Sequence, residues 1–85
     1  MQSKVTNKEE LIKIIEECDY KIAEVKNRFV ITNCETELRT EIIIPKGENR
    51  FYINGEISFF FGQKDYRMLE AVMEYSKLPT LNRDN

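Results

Sequence analysis

Apolar residues recur at helical spacing near the start of the chain, where Leu11, Ile12, Ile14, Ile15 and Cys18 follow Asn7. This pattern predicts an amphipathic helix from Lys8 to Glu17, with Asn7 as N-cap and Glu10 completing a capping box. Asp19-Tyr20 breaks the period, and the pattern then turns toward alternation. Ile22 and Val25 precede a polar stretch, Lys26-Asn27-Arg28, and Phe29-Val30-Ile31-Thr32 is rich in β-formers. Two readings stand: one bent strand from Tyr20 to Thr32, or two strands divided by a tight turn near Asn27.

Glu37 to Ile44 alternates as a strand, with Leu38, Thr40, Ile42 and Ile44 on one face and Glu37, Arg39, Glu41 and Ile43 on the other. Pro45 lacks an amide hydrogen and stops it, leaving Lys46-Gly47-Glu48-Asn49 as a turn. Arg50 to Ile53 and Glu56 to Phe61 flank Asn54-Gly55, the pair that best tolerates the positive φ angles of a two-residue hairpin turn. Tyr66, Leu69, Val72, Met73 and Ser76 return to helical spacing, widened by Met68, Ala71 and Tyr75, with Asp65 near the start as a candidate cap. Leu78-Pro79 ends that helix. The expected fold is therefore α+β, in the order α-β-β-β(-β)-α. It has an antiparallel sheet with a central Asn-Gly hairpin and both helices on one face. Residues 1–5 are expected to fray, 6–78 to form one domain, and 79–85 to be a flexible tail.

Composition fits that picture and narrows the chemistry. The 85 residues hold 41% hydrophobic and 33% charged side chains, enough for one small core. No apolar run approaches the roughly 20 residues of a membrane span and no basic-then-apolar leader opens the chain, so a soluble, cytoplasmic protein without a membrane partner is expected. Histidine is absent, which removes the commonest general base and metal ligand. Cys18 and Cys34 form no metal or redox motif, and Gly47, Gly55 and Gly62 are isolated, so no glycine-rich loop can cradle a phosphate. Catalysis, a cofactor and a metal are accordingly not expected.

What is left is the surface. Phe59 and Phe61 are expected in the core, whereas Phe60 points the other way and, with Tyr20 and Tyr52, is a candidate anchor for a protein partner. Glu37, Arg39 and Glu41 are candidate rim residues. Tyr52 beside Arg50 and Lys46 also forms a candidate stacking and phosphate-contacting patch. Against a nucleic-acid role stands the charge, 13 Lys or Arg against 15 Asp or Glu, net −2. Glu35, Glu37, Glu41 and Glu56, with Glu16, Glu17 and Asp19, outline an acidic edge interrupted by Arg39. Cys18 ends an apolar stripe and is expected buried; Cys34 sits in a polar turn.

The segment from Met68 to Arg83, an apolar helix running into Leu78-Pro79-Thr80 and a charged tail, is similar to the closing helix of small proteins of phages and prophages of Gram-positive bacteria. Leu11-Ile12, Ile15, Asp19-Tyr20 and Ile22, with Ile42-Ile43 and Tyr52-Ile53, resemble in order a small type II anti-CRISPR inhibitor. The chain departs from such inhibitors in being far less acidic and in carrying the Asn54-Gly55 hairpin and the aromatic run. The resemblance implies a non-catalytic accessory protein that binds a host protein, a CRISPR effector nuclease or another defence protein. Direct nucleic-acid binding and a nucleotide sponge at a homodimer interface are the alternatives.

Overall fold

The structure, a computed structural model, describes residues 5–33, 41–55 and 62–85. Helix α1 (Lys8–Glu17) leads into strands β1 (Tyr20–Glu24), β2 (Arg28–Asn33), β3 (Glu41–Pro45) and β4 (Tyr52–Asn54), and helix α2 (Gln63–Lys77) follows. The strands form one antiparallel meander in sequential order, so the fold is α+β with both helices on one face.

α1 starts where its capping residues require. The Asn7 side chain accepts from the Glu10 amide at 2.8 Å, and the Glu10 carboxylate takes the Thr6 amide at 3.3 Å. Replacing Asn7 with Ala should cost about 1 kcal/mol and lower the melting temperature by roughly 5 °C, readable by thermal denaturation followed by circular dichroism. The helix closes through Cys18 into Asp19, which adopts a left-handed φ of 63° that short polar side chains tolerate.

The choice left open around Asn27 resolves as two strands. β1 and β2 pair from Tyr20↔Asn33 to Glu24↔Phe29, and the Val25 amide donates to the Arg28 carbonyl at 2.9 Å across the turn. At the other end of the sheet, Asn54 still pairs with Glu41 and Gly55 takes a φ of 106°. The second arm of the Asn54-Gly55 hairpin lies outside the described residues.

The core lies between the helices and one sheet face. Leu11, Ile14, Ile15 and Cys18 from α1, and Met68, Ala71, Val72 and Tyr75 from α2, meet Tyr20, Phe29, Ile31, Ile42 and Ile44. The Phe29 and Tyr75 rings pack edge to face at 5.7 Å. The α2 stripe is rotated from the expected one: Tyr66 and Met73 are exposed. Met68, Ala71, Val72 and Tyr75 satisfy the same i, i+3, i+4, i+7 spacing, and Tyr75 is the residue whose ring reaches Phe29. Asp65 helps cap α2 from within its first turn. Gly62 occupies the N-cap, and the Asp65 carboxylate reaches back to the Gly62 amide at 2.8 Å.

Val5 and the last residues of the chain are more firmly held than their sequence suggests. Val5 is in the core, and its amide donates to Glu74 at 2.9 Å. Residues 79–85 are not a free tail: Arg83 is 6% exposed, and Asp84 accepts from the Tyr75 hydroxyl at 2.6 Å and from the Gly47 amide at 2.8 Å. A single arginine in a polar stretch carries no periodic signal, which is why the clasp is not visible until the chain is folded.

Candidate functional site

Strand alternation sends every second side chain away from the helices, and the register aligns those side chains into rows. Ala23 faces Val30, Val30 faces Ile43, and Ile43 faces Tyr52, an apolar row that crosses all four strands. Among the described residues neither helix packs over it, because the helix stripes join the cluster formed by Phe29, Ile31, Ile42 and Ile44 on the opposite face. Along the row exposure is uneven: Ile43 is only 4% exposed, whereas Tyr52 is 43% exposed. Lys21, Thr32, Glu41 and Asn54 make a polar row on one side, and Arg28 opposite Pro45 begins the other.

At the Arg28 end the face dips into a cleft of about 270 Å³, floored by Ile43 and Pro45 and walled by Asn27, Arg28, Lys46, Arg50 and Tyr52. The Arg50 guanidinium lies over the Tyr52 ring at 5.4 Å and pairs with Glu48 at 2.7 Å. Arg28 meets only the amide oxygen of Asn27, at 3.2 Å, among the described residues. Lys46 is committed elsewhere: its amine pairs with Glu24 at 2.6 Å and lies 5.3 Å from the centre of the Phe29 ring. The hydrogen bond from Lys46, joined by Lys8, holds the Glu24 carboxyl below its ordinary range.

The expected contact residues separate sharply. Tyr52 and Glu41 lie on the face turned away from the helices. Tyr20 does not; it is 6% exposed, packs in the core and donates its hydroxyl to Asp65 at 2.6 Å. The reason is its parity in β1, which it shares with Ile22 and which points toward α2. Glu37, Arg39 and Phe60 fall outside the described residues. The acidic edge is not assembled among the described residues, since Glu17 pairs with Arg67, Asp19 pairs with Lys64, and Glu41 lies on the other side of the sheet. Cys18 is buried, and burial raises its thiol pKa, which disfavours the reactive thiolate.

No family model, curated protein or solved structure matches the chain. Function therefore has to be argued from the face itself. Ala23, Val30 and Arg28 are the contributors that sequence reasoning missed. The available signal was that Arg28, Val30 and Thr32 alternate with the apolar Phe29 and Ile31, which places them together on the side away from the core. Among the described residues, no three Cys, Asp or Glu gather so as to hold a metal ion, and no helix is long and apolar enough to cross a membrane.

Proposed function

We propose that this chain is a non-catalytic binding module, a phage or prophage accessory protein that engages a host protein through the sheet face turned away from its helices, in the manner of a small inhibitor of a defence effector. The observation that carries the reading is the row Ala23–Val30–Ile43–Tyr52, apolar across the four described strands, exposed at its Ala23 and Tyr52 ends and set between polar and charged neighbours. Tyrosine and arginine are the side chains that most often anchor protein interfaces, and an apolar centre with a polar rim is the usual anatomy of one. The absence of histidine from the sequence supports a role without acid–base chemistry at neutral pH. The likeness of the Met68–Arg83 segment to phage proteins supports the biological setting, and the cytoplasm of a bacterial host would be the place of action.

An interface of ordinary size would cover about 800 Å² on this side, more than the row itself, so Glu41 and Lys21 would fall in the contact. The test replaces Ala23, an exposed strand residue, with Glu. Tagged wild-type protein should capture a stoichiometric partner from lysate of a phage-bearing Gram-positive host, and Ala23→Glu should lose it while melting at nearly the same temperature. Equal capture by the variant would remove this face as the interface.

A further inference from the structure

We propose that the cleft at the Arg28 end of the sheet face turned away from the helices binds a nucleoside phosphate, its ring against Tyr52 and its phosphate between Arg28 and Arg50. This goes beyond protein binding through the apolar row, and the two stand or fall separately, because Ala23 does not line the cleft.

Three features meet there. The first is charge. The chain is net acidic, −2, yet the cleft is lined by three cations, Arg28, Lys46 and Arg50, against one carboxylate, Glu48. The register makes this local excess by bringing Arg28 of β2 opposite Pro45, next to the turn that carries Lys46 and Arg50. The second is availability. Lys46 is tied to Glu24, but Arg28 meets no carboxylate among the described residues. Arg50 holds Glu48 in a pair whose partners are both at least half exposed, the kind of contact that an incoming phosphate readily replaces. A guanidinium suits that exchange because its planar fork matches two phosphate oxygens at once.

The third is shape. A simple anion would need only the arginines. Here the anion-binding end adjoins an exposed tyrosine ring and an apolar floor of Ile43 and Pro45, which suit a flat, partly apolar group joined to the charge. At about 270 Å³ the cleft is close to the lower end of small-ligand sites, the size of one nucleotide unit and not of a larger cofactor. Arg50 stacked on Tyr52 already displays the guanidinium–aromatic contact such a ligand would extend.

The nucleotide can be free or one unit of a single strand, and the test separates the two. Isotope-labelled protein is titrated with a nucleoside monophosphate, the matching nucleoside, inorganic phosphate, a short single-stranded oligonucleotide and a poly-glutamate peptide, following backbone amide shifts. The monophosphate should move the amides of Arg28, Ile43, Arg50 and Tyr52, at least tenfold more tightly than nucleoside or phosphate alone. Tyr52→Ala should weaken binding roughly 5- to 150-fold, the range for loss of one stacked base. Arg28→Ala should weaken it further and flatten its salt dependence, with Arg28→Gln behaving alike. Tighter binding of the oligonucleotide, with a log–log salt slope near −1.4 for two neutralised phosphates, identifies a strand; equal affinity per nucleotide identifies the free ligand. The proposal is overturned if millimolar monophosphate moves no cleft amide, if both variants bind as wild type, or if phosphate or poly-glutamate binds as tightly as the monophosphate.

Discussion

Replacing Arg83 with Ala is expected to remove about 3 kcal/mol of stability and to lower the melting temperature by on the order of 15 °C. The guanidinium is buried and almost fully engaged. Its Nε and Nη2 grip the two oxygens of Asp84 at 3.0 and 3.1 Å. Nη1 donates to the carbonyl of Glu48 at 2.9 Å, and Nη2 to that of Pro45 at 3.1 Å. The same group lies 4.9 Å from the centre of the Tyr75 ring. It therefore joins the β3–β4 turn, the end of α2 and the last residues of the chain. Truncation would leave the Asp84 carboxylate, itself mostly buried, without its counter-charge and strand the carbonyls in a site closed to water, and orphaned buried polar groups are the costly case. Lysine should recover less than half of the loss, because a point charge with a flexible stem cannot reproduce the planar fork. Denaturant unfolding of wild type, Arg83→Ala and Arg83→Lys measures all of this. A loss under about 0.5 kcal/mol for the alanine variant would mean that the tail adds little to the fold.

A second large effect is expected at alkaline pH. Tyr20 and Tyr75 are buried, and each donates its hydroxyl to a carboxylate, Asp65 and Asp84, at 2.6 Å. Burial is the main cause that pushes both phenols well above their ordinary range, and the adjoining carboxylates push the same way. The sign follows from proton counting. Above pH about 10 the unfolded chain releases both protons while the folded chain keeps them, so stability is complete below that pH and declines above it. Each tyrosine contributes a slope of about 1.4 kcal/mol per pH unit, hence nearly 3 for the pair, a large share of what a domain this small possesses. Unfolding free energy measured by urea titration from about pH 9 to about pH 11 should be flat at first and then fall steeply. The double variant Tyr20→Phe/Tyr75→Phe should be weaker at neutral pH but lose most of that decline. A wild-type stability that stays level across the window would show that the two hydroxyls ionise within the folded protein. On the acid side Asp84 acts in the opposite sense. Burial opposes its ionisation, but hydrogen bonds from Arg83, Tyr75 and the Gly47 amide outweigh it and hold the carboxyl below its ordinary range. Its share of stability is therefore present at neutral pH and lost as pH falls through that lowered value.

These two effects rest on residues the sequence presents as unremarkable. Tyr20 reads as a surface aromatic after a helix break, but its parity in β1 turns it inward, where its hydroxyl meets Asp65 of α2. Arg83 reads as one charge in a polar tail; its niche is assembled from Pro45, Glu48, Ser76 and Tyr75, up to 38 positions away in the chain. The cleft divides in the same way. Tyr52, Arg50 and Lys46 are close in sequence and legible as a patch, whereas Arg28 joins them only through the β2–β3 register.

The linear chain determined what depends on neighbours within a few positions. The Asn7–Glu10 cap, the 3.6-residue stripe of α1, the alternation that puts Ile42 and Ile44 on one face and Ile43 on the other, and the stop at Pro45 are local matters of backbone geometry and burial. Tertiary structure decided the rest: which stripe of α2 meets the sheet, whether Val5 and the last residues are held, and which side chains stand together on the face turned away from the helices. Those outcomes turn on strand register and on hydrogen bonds between distant segments. Their energies come from groups that become neighbours only when water has been excluded from between them, and no spacing along the chain encodes that meeting.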